Sequence, residues 1–272
     1  MPHFDFTRSC QTMKLDREGN VAILTLSRPD AMNAMNSQFF ADFQNILQNI
    51  ENNLSGDDHP VRALLILAEG KGFCAGADLK DQSGEMPPQL GDVLRKNYIP
   101  LITNLKKLPI PTIAAVNGAV AGAGMSLVCA CDIAIAEQQA YFLQAFVNIA
   151  LVPDAGSTYF LPRLAGRARA AAMMMLGERI SAGQALEYGI ISSITTPEQL
   201  VPEAMALAKR LAHMPTKTLV EIRKLLDASE QNTLAQQMEA EAQAQQRAGQ
   251  SEDFMEGVSA FLQKRSPAFK GR

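Results

Sequence analysis

The sequence is poor in the side chains that usually bind metals or form covalent cross-links. It contains only three histidines, His3, His59 and His213. Its four cysteines are Cys10, Cys74, Cys129 and Cys131. Cys129-x-Cys131 has no second ligand pair at zinc spacing, and a chain of 272 residues needs no disulfide framework to fold. We therefore expect no metal site, no disulfide framework and no catalytic triad built on histidine.

The chain also lacks an excess of positive charge. It has 25 Lys and Arg against 28 Asp and Glu, which gives a net charge of −3. Because nucleic-acid binding needs a basic face, we expect no nucleic-acid partner. Residues 1–5 have neither the basic nor the apolar region of a signal peptide, so the expected location is cytoplasmic.

One uncharged run, residues 108–131, is long enough to cross a bilayer. It is rich in alanine and interrupted by Pro109, Pro111 and several glycines, which do not suit a membrane-spanning helix. We interpret the run as a buried strand, a glycine-rich turn and a buried helix, and expect no membrane association.

Apolar periodicity predicts strands alternating with helices over two thirds of the chain, and only helices after about residue 195. The predicted strands span residues 21–26, 63–67, 112–116 and 132–136. The predicted helices span residues 37–54, 94–108, 121–131, 166–176, 181–189, 197–211, 215–229, 233–248 and 252–265. A turn at 56–60, a glycine-bearing loop at 70–78 and a polar, mobile segment at 82–88 connect them. The pattern indicates an α/β fold.

Two glycine-bearing segments, residues 72–79 and 117–126, follow predicted buried strands. Small residues let a ligand approach the backbone, and unpaired N–H groups at a helix start favour negative charge. These segments either supply backbone donors to an oxyanion or permit tight packing of strand against helix. Gly122-x-Gly124 lacks the third glycine of a dinucleotide-binding fingerprint.

Asp154 follows an apolar stretch, residues 150–153, and precedes a glycine and a helix-starting Ser-Thr pair. A partly desolvated carboxylate has a raised pKa and can act as a base. Alternatively, Asp154 caps the next turn. The local sequence leaves both interpretations open.

Several further motifs occur in an order that resembles the crotonase superfamily, the enoyl-CoA hydratase/isomerase proteins. They are LSRPDAMNA (26–34), CDIA (131–134), LPRLAG (161–166), AGQALEYG (182–189) and EGVSAFLQKR (256–265). The resemblance covers about residues 12 to 270, and residues 152–154, 166–170 and the tail are most similar to epoxyphenylacetyl-CoA isomerases. It implies a spiral of ββα units over residues 1–195. Residues 196–272 would form a helical oligomerisation and lid region that builds a homotrimer, or a homohexamer as a dimer of trimers.

The resemblance also implies roles for individual residues. By position, the backbone N–H groups of Ala77 and Ala123 would form an oxyanion hole for a thioester carbonyl. Residues implied to contact the acyl-CoA substrate are Ala31, Met32, Ala75, Asp78, Leu79, Lys80, Met125, Phe146, Phe261 and Lys264. Of these, Phe261 and Lys264 match residues that reach the adenosine end, often from a neighbouring subunit, while Asp78 is interpreted as a turn residue and not as a base. No permanently bound cofactor is implied, since coenzyme A enters as part of the substrate.

Departures from the family pattern favour isomerase chemistry. Hydratases of the family hold a water between two glutamates, and those positions are Ser126 and Phe146 here. Asp154 falls where some enoyl-CoA isomerases carry their acid/base. The resemblance thus implies an isomerase with Asp154 as its acid/base. It would convert 3-enoyl-CoA to 2-enoyl-CoA, or isomerise the epoxyphenylacetyl-CoA ring. The alternatives are a hydratase with one carboxylate, a dehalogenase or thioester hydrolase with Asp154 as nucleophile, and a non-catalytic CoA-ester-binding subunit.

Overall fold

Between residues 63 and 143, successive strands of the chain alternate between two sheets. The computed structural model describes residues 10–54, 60–81 and 89–272. Its strands are β1 (Met13–Glu18), β2 (Val21–Leu26), β3 (Ala63–Ala68), β4 (Gly72–Cys74), β5 (Thr112–Val116), β6 (Ala119–Ala121), β7 (Ile133–Glu137), β8 (Tyr141–Leu143), β9 (Arg179–Ser181) and β10 (Ser193–Thr195). One sheet has the order β1-β2-β3-β5-β7-β10, and the other has the order β4-β6-β8-β9. In each of three consecutive strand pairs, β3/β4, β5/β6 and β7/β8, the first strand therefore belongs to the larger sheet and the second to the smaller one.

Helices follow the strand pairs, and after β10 the described elements are all helices. They are α1 (Ser37–Asn52), α2 (Leu90–Val93), α3 (Ile99–Lys107), α4 (Ala123–Ala130), α5 (Ser157–Ala165), α6 (Arg167–Leu176), α7 (Ala182–Glu187), α8 (Pro197–Ala212), α9 (Thr216–Ser229), α10 (Leu234–Gly249) and α11 (Glu252–Gln263). A π-helical turn, Leu94–Tyr98, joins α2 to α3. This succession confirms the predicted α/β class, the spiral of ββα units and the helical C-terminal part.

The central strands β3 and β5 of the six-stranded sheet are buried on both faces, which explains their uninterrupted apolar sequences. In β3, Leu64 and Ile66 belong to the larger core cluster with α1, α3 and α4, whereas Ala63 and Leu65 face the other way. Successive side chains of a strand point to opposite faces, so a sheet covered on both sides needs apolar residues at every position. Full burial of each of these leucines and isoleucines contributes about 1.5–3 kcal/mol.

Helix α8 covers the second face of this sheet. Its buried residues recur every fourth position, at Leu200, Ala204, Ala208 and Ala212. This spacing puts them on one side of the helix, and three of the four are alanines. The small side chains let the helix pack closely on β3, β5 and β7, so residues 197–212 complete the core of the ββα units.

Several predicted boundaries were wrong. The predicted loop at 70–78 contains β4, and the predicted start of a helix at Ala121 lies in β6, so α4 begins two residues later. Each of these strands has three residues, too few to show a period of two. The predicted strand at 132–136 is Ile133–Glu137, and the helix predicted from Leu94 begins at Leu90.

Two predicted connections lie outside the described residues. They are the polar segment at 82–88 and most of the turn at 56–60. Among the helices within the described ranges, none combines the length and the apolar character needed to cross a bilayer.

Candidate active site

Two short strands bring the glycine-bearing segments together. β4 and β6 are parallel neighbours, so the chain leaves both strands at the same edge of the smaller sheet. Gly76 follows β4 with φ of +86°, and a Cβ there would lie 2.9 Å from the Ala121 carbonyl oxygen and 3.3 Å from the Ala123 nitrogen. Glycine tolerates both this φ and this close approach, so the backbones of the two segments can meet.

A cavity of about 660 Å³ opens where these segments meet. We call it the central cavity. One wall comes from α2, the π-helical turn and α3, with Leu90, Val93, Leu94, Tyr98, Ile99 and Ile102. Another comes from the segment before α5, with Phe146, Ile149, Leu151 and Val152. The lining is predominantly apolar, as expected for a site that buries the acyl part of a ligand.

The N–H groups predicted to form an oxyanion hole both border the central cavity, which Ala77 and Ala123 line. Ala123 is the first residue of α4, and the first N–H groups of a helix have no intrahelical acceptor. Within the described ranges, neither backbone nitrogen donates a hydrogen bond to a protein atom. Both N–H groups are therefore available to a carbonyl oxygen or an oxyanion.

Asp154 is the one carboxylate among the described residues that line the central cavity. Its Oδ1 is buried, and no described residue donates a hydrogen bond to it. Burial away from water raises the pKa of Asp154 from 3.8 to about 6. A carboxylate with a pKa this close to neutrality can both accept a proton and return it.

The two positions that hold glutamates in hydratases have different environments here. Ser126 is 1% exposed, and its hydroxyl donates to the backbone oxygen of Asp154 at 3.2 Å. Phe146 lines the cavity, and its ring lies 3.6 Å from the place that a Cβ on Gly122 would take. A water in the cavity would therefore meet an aromatic ring, not a second carboxylate.

Four other predicted substrate contacts lie in two segments, the loop after β4 and residues 31–32. Ala75 and Leu79 line the central cavity, and Leu79 is exposed. Ala31 and Met32 do not line it, but the Met32 carbonyl accepts a hydrogen bond from the Ala75 nitrogen at 3.0 Å. The two segments implied to contact the acyl-CoA substrate are thus adjacent.

The other predicted contact residues lie away from the cavity lining. Asp78 forms an ion pair with Arg28 at 3.0 Å, and its Oδ1 accepts a hydrogen bond from the Lys80 nitrogen at 3.2 Å. Lys80 is exposed at the end of the same loop. Met125, in α4, is fully buried in the core. The exposed residues Phe261 and Lys264 belong to the far end of α11, outside the lining of this chain's own cavity.

The sequence analysis missed the helical wall of the cavity. Leu90, Leu94, Tyr98 and Ile102 recur at intervals of four residues, which is the signal of one helix face, but the predicted helix began too late to include the first. Tyr98 is held by an edge-to-face contact with Phe40, with ring centroids 4.7 Å apart. Ser157 was predicted only as part of a helix start, and its contact with Ser126 was not predicted.

Comparisons with known proteins agree with this geometry. Residues 16–272 match the family profile described as enoyl-CoA hydratase/isomerase. The chain is 43% identical to the 1,2-epoxyphenylacetyl-CoA isomerase of Escherichia coli (strain K12), over 94% of this chain and 97% of that protein. It is 39% identical to a Rhodobacter capsulatus protein named "Probable enoyl-CoA hydratase", over 97% of this chain and 100% of that protein.

The fold comparison gives the same family. The crystal structure of enoyl-CoA hydratase from Bacillus anthracis matches with a TM-score of 0.89 at 30% identity, covering 96% of this chain and 100% of that one. Since the match covers 96% of this chain, it includes both the ββα units and the C-terminal helices. The chain therefore belongs to the enoyl-CoA hydratase/isomerase family, the crotonase superfamily that its motifs resemble.

Proposed function

We propose that this protein is an acyl-CoA isomerase in which Asp154 is the sole acid/base. The observation that carries the proposal is the composition of the central cavity. Among its described lining residues, Asp154 is the one carboxylate, and it shares the cavity with the unengaged N–H groups of Ala77 and Ala123. One carboxylate is enough to move a proton between two carbons of one substrate, whereas a family hydratase positions its water with two.

For a 3-enoyl-CoA substrate, each step can be assigned to a group of this chain. The thioester carbonyl oxygen would accept hydrogen bonds from the N–H groups of Ala77 and Ala123. The Asp154 carboxylate removes a proton from C2, and the electron pair of the C–H bond delocalises over the dienolate, whose charge lies largely on the oxygen. Protonated Asp154 then gives the proton to C4, and the double bond moves from C3=C4 to C2=C3. The enzyme returns to its initial state, and no water or cofactor is consumed.

Backbone donors supply the electrostatic part of this mechanism. The charge develops on the thioester oxygen only as the proton leaves C2, so fixed donors stabilise the transition state more than the substrate. Removal of one such donor typically lowers the rate by about 10²–10³-fold. The apolar lining strengthens the effect, because it keeps water away from the enolate.

Two substrate classes fit this chemistry. One is a 3-enoyl-CoA ester with an aliphatic chain, and the other is the ring system of epoxyphenylacetyl-CoA. The second is supported by the 43% identity to the E. coli isomerase that is named for this substrate. In both cases coenzyme A enters as part of the substrate, and we propose no permanently bound cofactor.

A hydratase is the second candidate, because relatives with hydratase names also match nearly the whole chain. Incubation with a 3-enoyl-CoA, followed by ultraviolet absorbance and mass spectrometry of the product, separates the two. An isomerase produces the absorbance of a conjugated 2-enoyl thioester at unchanged mass. Presented with a 2-enoyl-CoA, a hydratase consumes that absorbance and adds one water to the product.

The same experiment tests the remaining alternatives. A nucleophilic Asp154, as in a dehalogenase or a thioester hydrolase, would leave a covalent acyl adduct on the protein during turnover. A non-catalytic subunit would bind the CoA ester and leave both the absorbance and the mass unchanged. Either outcome would contradict the isomerase proposal.

We also propose that the protein is a homotrimer, either alone or stacked as a hexamer. Helix α11 exposes Phe254, Met255, Phe261 and Leu262, and Phe261 is 82% exposed. Such an apolar face is typical of a surface that another subunit covers. Phe261 and Lys264 would then reach the coenzyme A bound by a neighbour. Light scattering after gel filtration tests the proposal, and a monomeric mass at assay concentration would contradict it.

A further inference from the structure

The backbone around Asp154 has an unusual conformation. Ala155 has φ of +49° and Gly156 has φ of +85°, so two successive residues after Asp154 lie in the left-handed region. This region is unfavourable for alanine because its Cβ approaches the backbone. A strained conformation of this kind persists only where surrounding contacts fix it.

The contacts that fix it come from two buried serines. The Asp154 carbonyl oxygen accepts hydrogen bonds from Ser126 Oγ at 3.2 Å and from the Ser157 nitrogen at 2.9 Å. The two Oγ atoms are 2.6 Å apart, and both serines are 1% exposed. Since the Ser126 proton is directed to the Asp154 carbonyl, the Ser157 hydroxyl donates to Ser126. The pair therefore ties α4 and α5 to the peptide unit between Asp154 and Ala155.

The carboxylate itself has no comparable support. Asp154 Oδ1 is buried, and no described residue donates a hydrogen bond to it. The direction of the side chain is therefore set from its backbone end. A base must lie within hydrogen-bond reach of the proton that it removes, so a small rotation of this peptide would move the carboxylate out of position.

We infer that Ser126 and Ser157 are positioning residues, whose hydroxyl pair fixes the Asp154 peptide and thereby directs the Asp154 carboxylate into the central cavity. This inference rests on the proposed function, because it concerns the same base. It also gives Ser126 a role in turnover at a position where the hydratases of the family have a glutamate.

Kinetics of Ser126→Ala and Ser157→Ala test the inference. We expect kcat of Ser126→Ala with a 3-enoyl-CoA to fall by roughly 10- to 100-fold, because misplacement of a catalytic group by about 1 Å has effects of this size. The affinity for a saturated acyl-CoA should change by less than about twofold, since neither serine lines the cavity. Ser157→Ala should have a smaller effect, because the bond from Ser126 to the Asp154 carbonyl remains.

A control removes a hydrogen bond from a serine hydroxyl to a backbone carbonyl at a more exposed position. Ser192 Oγ donates to the Ala134 carbonyl oxygen at 2.9 Å, outside the cavity lining. Ser192→Ala should therefore retain the wild-type kcat. An equal fall of kcat in this variant would overturn the inference, because the loss would then follow from general destabilisation.

A double-mutant cycle with Asp154→Asn separates positioning from a merely structural role. If Ser126 acts through Asp154, Ser126→Ala should change the residual rate of Asp154→Asn by less than about twofold. The same loss in both backgrounds, or a wild-type kcat in Ser126→Ala, would overturn the inference. If Ser126→Ala does not fold, the cycle with Ser157→Ala decides in the same way. Wild-type turnover by Asp154→Asn alone would instead refute the proposed function.

Discussion

Replacement of Asp154 by asparagine should stabilise the folded protein at neutral pH, although it removes the proposed base. Burial raises the pKa of Asp154 to about 6, so the charged carboxylate is less favourable in the folded chain than in the unfolded chain. The amide of Asp154→Asn has nearly the same shape and no charge. A gain of stability together with a loss of activity is typical of a residue kept for function.

The size and the pH range of this effect follow from the pKa. A rise from 3.8 to about 6 corresponds to about 3 kcal/mol, and screening of this partly exposed side chain reduces the expected gain to about 1–2 kcal/mol. Well below pH 3.8, the carboxyl group is protonated in both states and costs nothing. As the pH rises through about 6, the folded wild type must give up this proton and loses stability. The advantage of Asp154→Asn should therefore be small near pH 4 and complete above about pH 7.

Urea denaturation at about pH 4.5 and about pH 7.5 measures this difference in the free energy of unfolding. Asp227→Asn is the control, since Asp227 forms an ion pair with Lys106 at 3.1 Å and does not line the cavity. That variant loses an ion pair and should gain no stability at either pH. A difference between Asp154→Asn and the wild type that is independent of pH, or that becomes destabilising as the pH rises, would refute the reasoning.

Two further predictions concern turnover. The acid limb of kcat/KM should have its midpoint near pH 6, so that the value at about pH 5 is roughly a tenth of the plateau. A midpoint near pH 4 would mean that Asp154 is not desolvated in the free enzyme. Gly76→Ala should lower kcat by about 10²-fold, because its Cβ would lie 3.3 Å from the Ala123 nitrogen and disturb a proposed oxyanion donor. Gly19→Ala, also at positive φ but with open space around it, is the matched control, and an equal loss there would show that backbone strain alone is responsible.

The fold could be predicted where burial produces a recognisable pattern of apolar residues in the sequence. β3 and β5 are continuous apolar runs because both faces of their sheet are covered, and α1 shows a clear helical period. β1 was missed although Met13 and Leu15 alternate with exposed residues. β4 and β6 have only three residues each, too few to show an alternating pattern. They pair with each other although they are far apart in the sequence, so no local pattern marks them as strands.

The site could be predicted only in part for a related reason. Small residues after buried strands indicate segments that could approach a ligand, and an isolated aspartate in an apolar stretch indicates a candidate base. The contact between Ser126 and Ser157 joins residues 31 positions apart, so it depends on how α4 meets α5. Likewise, the wall around Tyr98 becomes part of the cavity only once α3 packs beside α1 and α4.

In the proposed mechanism Asp154 alone carries the proton, and a comparison of the wild type with Asp154→Asn tests this role. Wild type and Asp154→Asn are given the same 3-enoyl-CoA, product formation is followed by absorbance, and binding of a saturated acyl-CoA is measured in parallel. We predict that kcat of Asp154→Asn falls by at least about 10²-fold while the dissociation constant changes by less than about twofold. Wild-type turnover by Asp154→Asn would contradict the account.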